Sequence, residues 1–110
     1  MNDRQRFARA LGKLHAFAAS KNIKVLQYEL VRSTEEQQAL FRAGKTKADG
    51  INKLSKHQLG RAADMAVMID GRIRWDHVAE YDLLGEYWES IGGTWGGGWE
   101  FAEDVYHFEM

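Results

Sequence analysis

The chain has 110 residues, 45% of them hydrophobic and 28% charged, with a formal net charge of -1. That composition is ordinary for one globular domain with a single modest core, and the near-neutral charge argues against duplex nucleic acid as a partner. No apolar run reaches the roughly 18 residues that span a bilayer, and the absence of cysteine excludes disulfides, thiolate zinc sites and a cysteine nucleophile such as that of a cysteine amidase.

Residues 3 to 19 predict a first helix, because Phe7, Leu11, Leu14 and Ala18 recur on one face. Residues 23 to 32, "IKVLQYELVR", read as a strand. Its two-residue period groups Leu26, Tyr28 and Leu30 as the core face and carries Arg32 onto that face at the strand's end. A second helix is expected at about 34 to 43, with Ser33 and Glu36 as a capping box and Gly44 as its stop. Residues 45 to 62 show no period and read as an extended loop. "DMAVMI" then predicts a strand, Asp70-Gly71 a two-residue hairpin turn, and "RIRW" the returning strand. Asp76 is placed to cap a third helix that buries Val78, Tyr81, Leu84, Trp88 and Ile91 and ends at Gly92. A loop rich in glycine and tryptophan leads to a terminal strand, "VYHFEM". The order α-β-α-loop-β-β-α-loop-β favours an α+β fold, with a small antiparallel sheet and flanking helices in one domain spanning residues 1 to 110.

Of four histidines, His15 and His77 sit in helical segments and read as surface or satisfied interface side chains. His57 and His107 have polar company. In "SKHQLGRAAD", His57 precedes Asp64 by seven residues, and an isolated carboxylate entering an apolar strand is costly to bury unless something offsets its desolvation. A metal would do so, and the small residues Gly60, Ala62 and Ala63 would let the loop backbone lie close to the strand. With His107, the set becomes two imidazoles and a carboxylate, a three-ligand pattern that leaves a fourth position open for water. Asp104, three residues before His107, is a candidate general base. Strand alternation would put Asp104 and His107 on opposite faces, so both serve one site only if the chain bends near Val105. Alternation also groups the His107 ring with Glu109 and Val105.

These stretches resemble the zinc peptidoglycan peptidases of the D-Ala-D-Ala carboxypeptidase and L-alanyl-D-glutamate endopeptidase group, including small phage endolysins. "SKHQLGRAAD" fits S-x-H-x-x-G-x-A-x-D, "DVYHFE" fits D-x-x-H-F-E, and "WGGGW" at 95 to 99 is similar to the W-G-G-x-W of the endolysin branch. "RSTEEQQALFRAG" resembles R-[ST]-x-x-x-Q-x-x-L-[YF]-x-x-G, and the four motifs run in family order from residue 32 to 109. The resemblance implies a hedgehog/DD-peptidase-like fold and one Zn2+ held by His57, Asp64 and His107. It implies Asp104 as catalytic base and acid, and Arg32 beside the scissile carbonyl. Ser55, Gln37, Trp95, Trp99 and Glu109 are assigned to substrate contact or support of the site. Loop stabilisation for Ser55, helix packing for Gln37 and core padding for one of the two tryptophans stay open. Gly98 stands where the endolysin branch often has an acidic residue, and Tyr106 where it often has proline.

The implied activity is hydrolysis of peptidoglycan stem peptides, foremost at the L-Ala–D-Glu bond. A D-Ala-D-Ala carboxypeptidase is the nearest alternative, and an inactive zinc-stabilised binding module is the alternative of another class. "MNDRQRFARA" lacks the apolar core of a secretory signal. Synthesis in the cytoplasm is therefore expected, with action on the cell wall after release by another protein such as a phage holin, or from a virion; a monomer is expected as well.

Overall fold

Asn2 opens the first helix with a capping box: its Oδ1 accepts from the Gln5 backbone N–H, and Gln5 Oε1 accepts from the Asn2 N–H, both at 2.9 Å. The computed structural model describes residues 1–29, 38–39, 42–44, 56–100 and 103–110. Helix α1 (Asp3–Ser20) buries Phe7, Ala10, Leu11, Leu14 and Ala18, the predicted stripe with one alanine added. Strand β1 is Lys24–Glu29, β2 Ala62–Ile69 and β3 Arg72–Arg74; helix α2 is Ala79–Ser90, and strands β4 and β5 are Thr94–Trp95 and His107–Glu109. Near the expected second helix, the Ala43 N–H donates to the Ala39 carbonyl and Gly44 has φ +73°, which fits a helix stop. Leu30, Arg32, the Ser33/Glu36 box, Gln37 and Ser55 lie outside the described residues. No described helix is long and apolar enough to cross a membrane.

The sheet runs β1-β2-β5-β4, with β3 also on β2, and every pairing is antiparallel. β2 is its centre. β1 pairs along one edge, from Asp64 to Met68; the other edge is shared, β5 taking Ala62 to Asp64 and β3 taking Val67 to Ile69. Asp70 and Gly71 both have positive φ, 53° and 75°, as a two-residue hairpin turn of type I′ requires. Tyr81 pins this hairpin from α2: its hydroxyl accepts from the Val67 N–H at 2.9 Å and donates to the Arg74 carbonyl at 2.7 Å.

Alternation along β2 divides the molecule into two faces. Ala63, Met65 and Val67 join Leu14 of α1, Leu84 and Trp88 of α2, and Phe108 of β5 in the core. Trp88 stands edge-on to Phe7 and Phe108, with centroids 5.9 and 6.1 Å away, and its indole N–H donates to the Glu109 carbonyl. Each fully buried side chain of this kind contributes about 1.5–3 kcal/mol. Ala62, Asp64 and Ala66 have the opposite parity and stand outside the core that β2 shares with α1 and α2.

Four expectations are corrected here. In β1 the core face is Ile23 and Val25, whereas Leu26 and Tyr28 are 42% and 47% exposed. The strand carries apolar residues on both parities, so the period alone does not choose a face; the inference that Arg32 follows the core face loses its basis. Asp76 does not cap α2, whose N-cap Val78 has no side-chain bond; its carboxylate instead grips the Arg74 guanidinium at 2.9 and 2.7 Å. Thr94–Trp95 form a strand within the expected loop. The terminal strand begins only at His107, because Val105 and Tyr106 form a turn, and Val105 enters the core rather than sharing the His107 face.

Candidate metal centre

His57 reaches the site on a single turn that ends in a Schellman motif. The Arg61 N–H donates to the Lys56 carbonyl at 2.8 Å and the Gly60 N–H to the His57 carbonyl at 3.2 Å, with Gly60 at φ +68°. Gly60 is therefore required by its left-handed backbone, and a Cβ there would meet the Arg4 guanidinium of α1 rather than the strand. That replaces close backbone approach as its explanation. Ala62 and Ala63 follow, both fully buried. Arg61 then ties the chain end to the start of β2: its Nε donates to the Met110 carbonyl at 2.7 Å, and the Met110 N–H returns a bond to the Arg61 carbonyl at 3.0 Å.

This staple sets the register that makes Asp64 and His107 direct cross-strand partners. His57 Nε2 lies 3.4 Å from Asp64 Oδ1, and His107 Nδ1 lies 3.5 Å from the same oxygen. The three residues are only 3%, 8% and 9% exposed, and Asp64 Oδ1 is buried with no hydrogen-bond partner among the described residues. An unsatisfied buried polar atom costs about 1–3 kcal/mol, and more when it carries charge. The spacing shows what would relieve it. Two atoms each about 2.1 Å from one tetrahedral zinc stand about 3.4 Å apart. All three ligand-type atoms lie within 4.8 Å of one another, so His57, Asp64 and His107 fit one divalent ion.

Glu109 supports that arrangement from the same face of β5. Its Oε1 lies 2.8 Å from His107 Nε2; a carboxylate can only accept, so Nε2 carries the proton and Nδ1 is turned toward Asp64. Burial opposes a charge on His107, yet Asp64 and Glu109 outweigh it and raise the imidazole to about 9. Burial would also raise Asp64, but His107 and His57 overcome it and hold the carboxyl well below the usual range. The pocket thus favours positive charge between its three side chains.

Asp104 comes alongside through the bend at Val105. The His107 N–H donates to the Asp104 carbonyl and the Tyr106 N–H to Asp104 Oδ1, each at 3.2 Å, forming an Asx-type turn. Burial pushes the Asp104 carboxyl up, and the Asp64 charge pushes it further. That direction suits a group that accepts and returns a proton.

The two tryptophans of "WGGGW" separate. Trp95 is core, and its indole N–H holds the Val105 carbonyl at 2.8 Å; Trp99 remains 38% exposed, with its ring 5.2 Å from that of His107. The first glycine of this motif has a role that its spacing does not show. The Gly96 carbonyl accepts from the Asp104 N–H at 3.0 Å, and a Cβ on Gly96 would strike the Asp104 carbonyl oxygen. The cluster of five glycines from Gly92 to Gly98 was the available signal. Tyr28 was also missed: it stacks edge-on to Trp75, which meets Tyr106 in the same way, and Asp64 and Asp104 add to the burial that pushes its hydroxyl up. Arg32, Gln37 and Ser55 lie outside the described residues.

Comparison with known proteins agrees with this geometry. The profile of the D-alanyl-D-alanine carboxypeptidase family matches residues 49–110. The chain is 35% identical to the peptidoglycan L-alanyl-D-glutamate endopeptidase CwlK of Bacillus subtilis (strain 168), over 88% of this chain and 66% of that protein. It therefore spans slightly less than two thirds of that relative's length. The fold is similar to the crystal structure of Serratia marcescens L-Ala D-Glu endopeptidase ChiX. The TM-score is 0.72 and the identity 24%, covering 91% of this chain and 77% of that one. It is also similar to a VanY D,D-pentapeptidase variant from a VanB-type vancomycin-resistance cassette, solved in complex with Zn(II). There the TM-score is 0.61 and the identity 20%, covering 94% and 70%.

Proposed function

The chain belongs to the D-alanyl-D-alanine carboxypeptidase family, and from that premise we propose that it is a zinc-dependent peptidase that cleaves peptidoglycan stem peptides at the L-Ala–D-Glu bond. One observation carries the chemistry: the buried Asp64 Oδ1, without a hydrogen-bond partner among the described residues, lies 3.4 and 3.5 Å from ring nitrogens of His57 and His107, and a turn joins Asp104 to His107. Zinc held there supplies Lewis acidity to the scissile carbonyl and to the attacking water. Glu109 keeps His107 Nδ1 facing the centre. Asp104 takes the proton from the attacking water and passes it to the leaving amine, a role that the upward push of burial and the Asp64 charge on its carboxyl suits. Arg32 is assigned to the developing oxyanion.

The choice of bond rests on CwlK, an L-alanyl-D-glutamate endopeptidase, and on "WGGGW", whose Trp99 stands exposed beside His107. An endolysin-type setting in cell-wall degradation rests on the same motif. The second reading, removal of a terminal D-Ala, is favoured by the description of the matching family. A binding module without activity has no use for a carboxyl such as Asp104, held beside the centre by an Asx-type turn. A cell-wall zymogram should show a cleared zone, none when developed with chelator, and clearing again when zinc is added back before development. Asp104→Ala should abolish clearing while the purified protein still carries stoichiometric zinc. Clearing that ignores chelator would reject the metal, and near-normal turnover by Asp104→Ala would reject the base.

A further inference from the structure

His77 stands between β3 and α2 and has a carboxylate on each ring nitrogen. Asp82 Oδ1 of α2 lies 2.8 Å from Nε2, and Glu103 Oε1 lies 2.8 Å from Nδ1. Ionised carboxylates only accept, so both nitrogens donate and the ring is an imidazolium. Glu103 is the residue before Asp104. The same imidazole stands edge-on to Trp95, with centroids 6.0 Å apart, and the Trp95 indole holds the carbonyl of Val105, the residue after Asp104. His77 therefore acts on both neighbours of Asp104, directly on one side and through Trp95 on the other.

We propose that His77 is a positioning residue for Asp104: its imidazolium ties the segment from Glu103 to Val105 to α2 and thereby sets where the Asp104 carboxyl stands. This rests on the reading of Asp104 as the proton carrier. The ion pairs are exposed, and exposed pairs add little to global stability. Their consequence is local, because a catalytic group displaced by even 1 Å can cost about 100-fold in rate. Among the described residues, the charged groups that face His77 are Asp82 from α2 and Glu103 from the segment before β5; β4 contributes Trp95, and nearby Asp76 is engaged by Arg74. Asp82 foremost, and Glu103 with it, raise the imidazole above its ordinary pKa. The tie is therefore complete below the ordinary histidine range and is lost as pH rises through the raised value.

The test uses the zinc-loaded chain, with His77→Gln, Glu103→Gln and the double variant. Wild-type cleavage of muropeptides first establishes the activity. Each single variant should lose kcat roughly 10-fold or more, within the range that misplacement of a catalytic group produces. KM, zinc content and melting temperature should stay close to wild type, and the double variant should lose no more than the singles. Amide hydrogen exchange at Asp104 and His107 should speed up in His77→Gln. The proposal is overturned by kcat within twofold of wild type in His77→Gln, or by unchanged exchange at those two amides. A wild-type chain without cleavage would instead overturn the peptidase reading, while the exchange measurement would still decide whether His77 holds the segment.

Discussion

Gly96 and Gly98 sit two residues apart in one glycine run yet face different surroundings. A side chain on Gly96 meets backbone of the Asp104 turn, which cannot swing aside, whereas one on Gly98 meets nothing within 4 Å. Gly96→Ala should therefore push the Asp104–His107 turn outward and lower kcat by about 100-fold, the cost of a displacement near 1 Å, while Gly98→Ala leaves steady-state kinetics unchanged. Equal effects of the two substitutions would remove the explanation. His57, Asp64 and His107 were legible in the sequence because ligand-type side chains stood at motif spacing, and so was Asp104 as a neighbour of His107. The role of Gly96 was not legible, since it lies in what the residue lacks and depends on a turn that begins at Asp104, eight residues on in the chain. The bend at Val105 was foreseen only as a requirement. Its cause is the Asx-type bond from Tyr106 to Asp104 together with the hold of Trp95 on Val105.

The elements that could be read carried a single apolar stripe or a turn signal. Helices α1 and α2 show one stripe, Asp70-Gly71 marks the β2–β3 hairpin, and their bounds fall within a few residues of expectation. β1 failed because Ile23, Val25, Leu26 and Tyr28 place apolar side chains on both parities, and only the packing of α1 decides between them. β4 is two residues long, too short to show any period. Asp76 has the chemistry of a cap, but Arg74, two residues away, offers it a charge-assisted bidentate partner instead. The tie between α2 and the hairpin runs through one hydroxyl. Tyr81→Phe would leave the Val67 N–H and the Arg74 carbonyl without the bonds that hydroxyl makes. Urea unfolding should show a loss of about 1–3 kcal/mol with an unchanged m-value; a change well under 0.5 kcal/mol would mean that these groups find other partners.

At the scale of the molecule, α1 and α2 pack on one face of the sheet and the candidate metal centre lies on the other, so that β2 serves both through alternate residues. The candidate ligands come from the turn before β2, from β2 itself and from β5, fifty residues apart between His57 and His107. An ion at that junction binds the folded chain and not the unfolded one. Zinc at 100 times its dissociation constant should add about 2.7 kcal/mol of stability, or about 10 °C in melting temperature for a domain of this size. Calorimetry with and without zinc measures it, and Asp64→Asn should remove most of the gain; a zinc-independent melting temperature would contradict the site. The most direct test of the central claim is mass spectrometry of defined muropeptides digested by the zinc-loaded chain. Fragments severed between L-Ala and D-Glu are expected, and none in the presence of chelator. Loss of terminal D-Ala alone, or intact muropeptides with zinc bound, would contradict it.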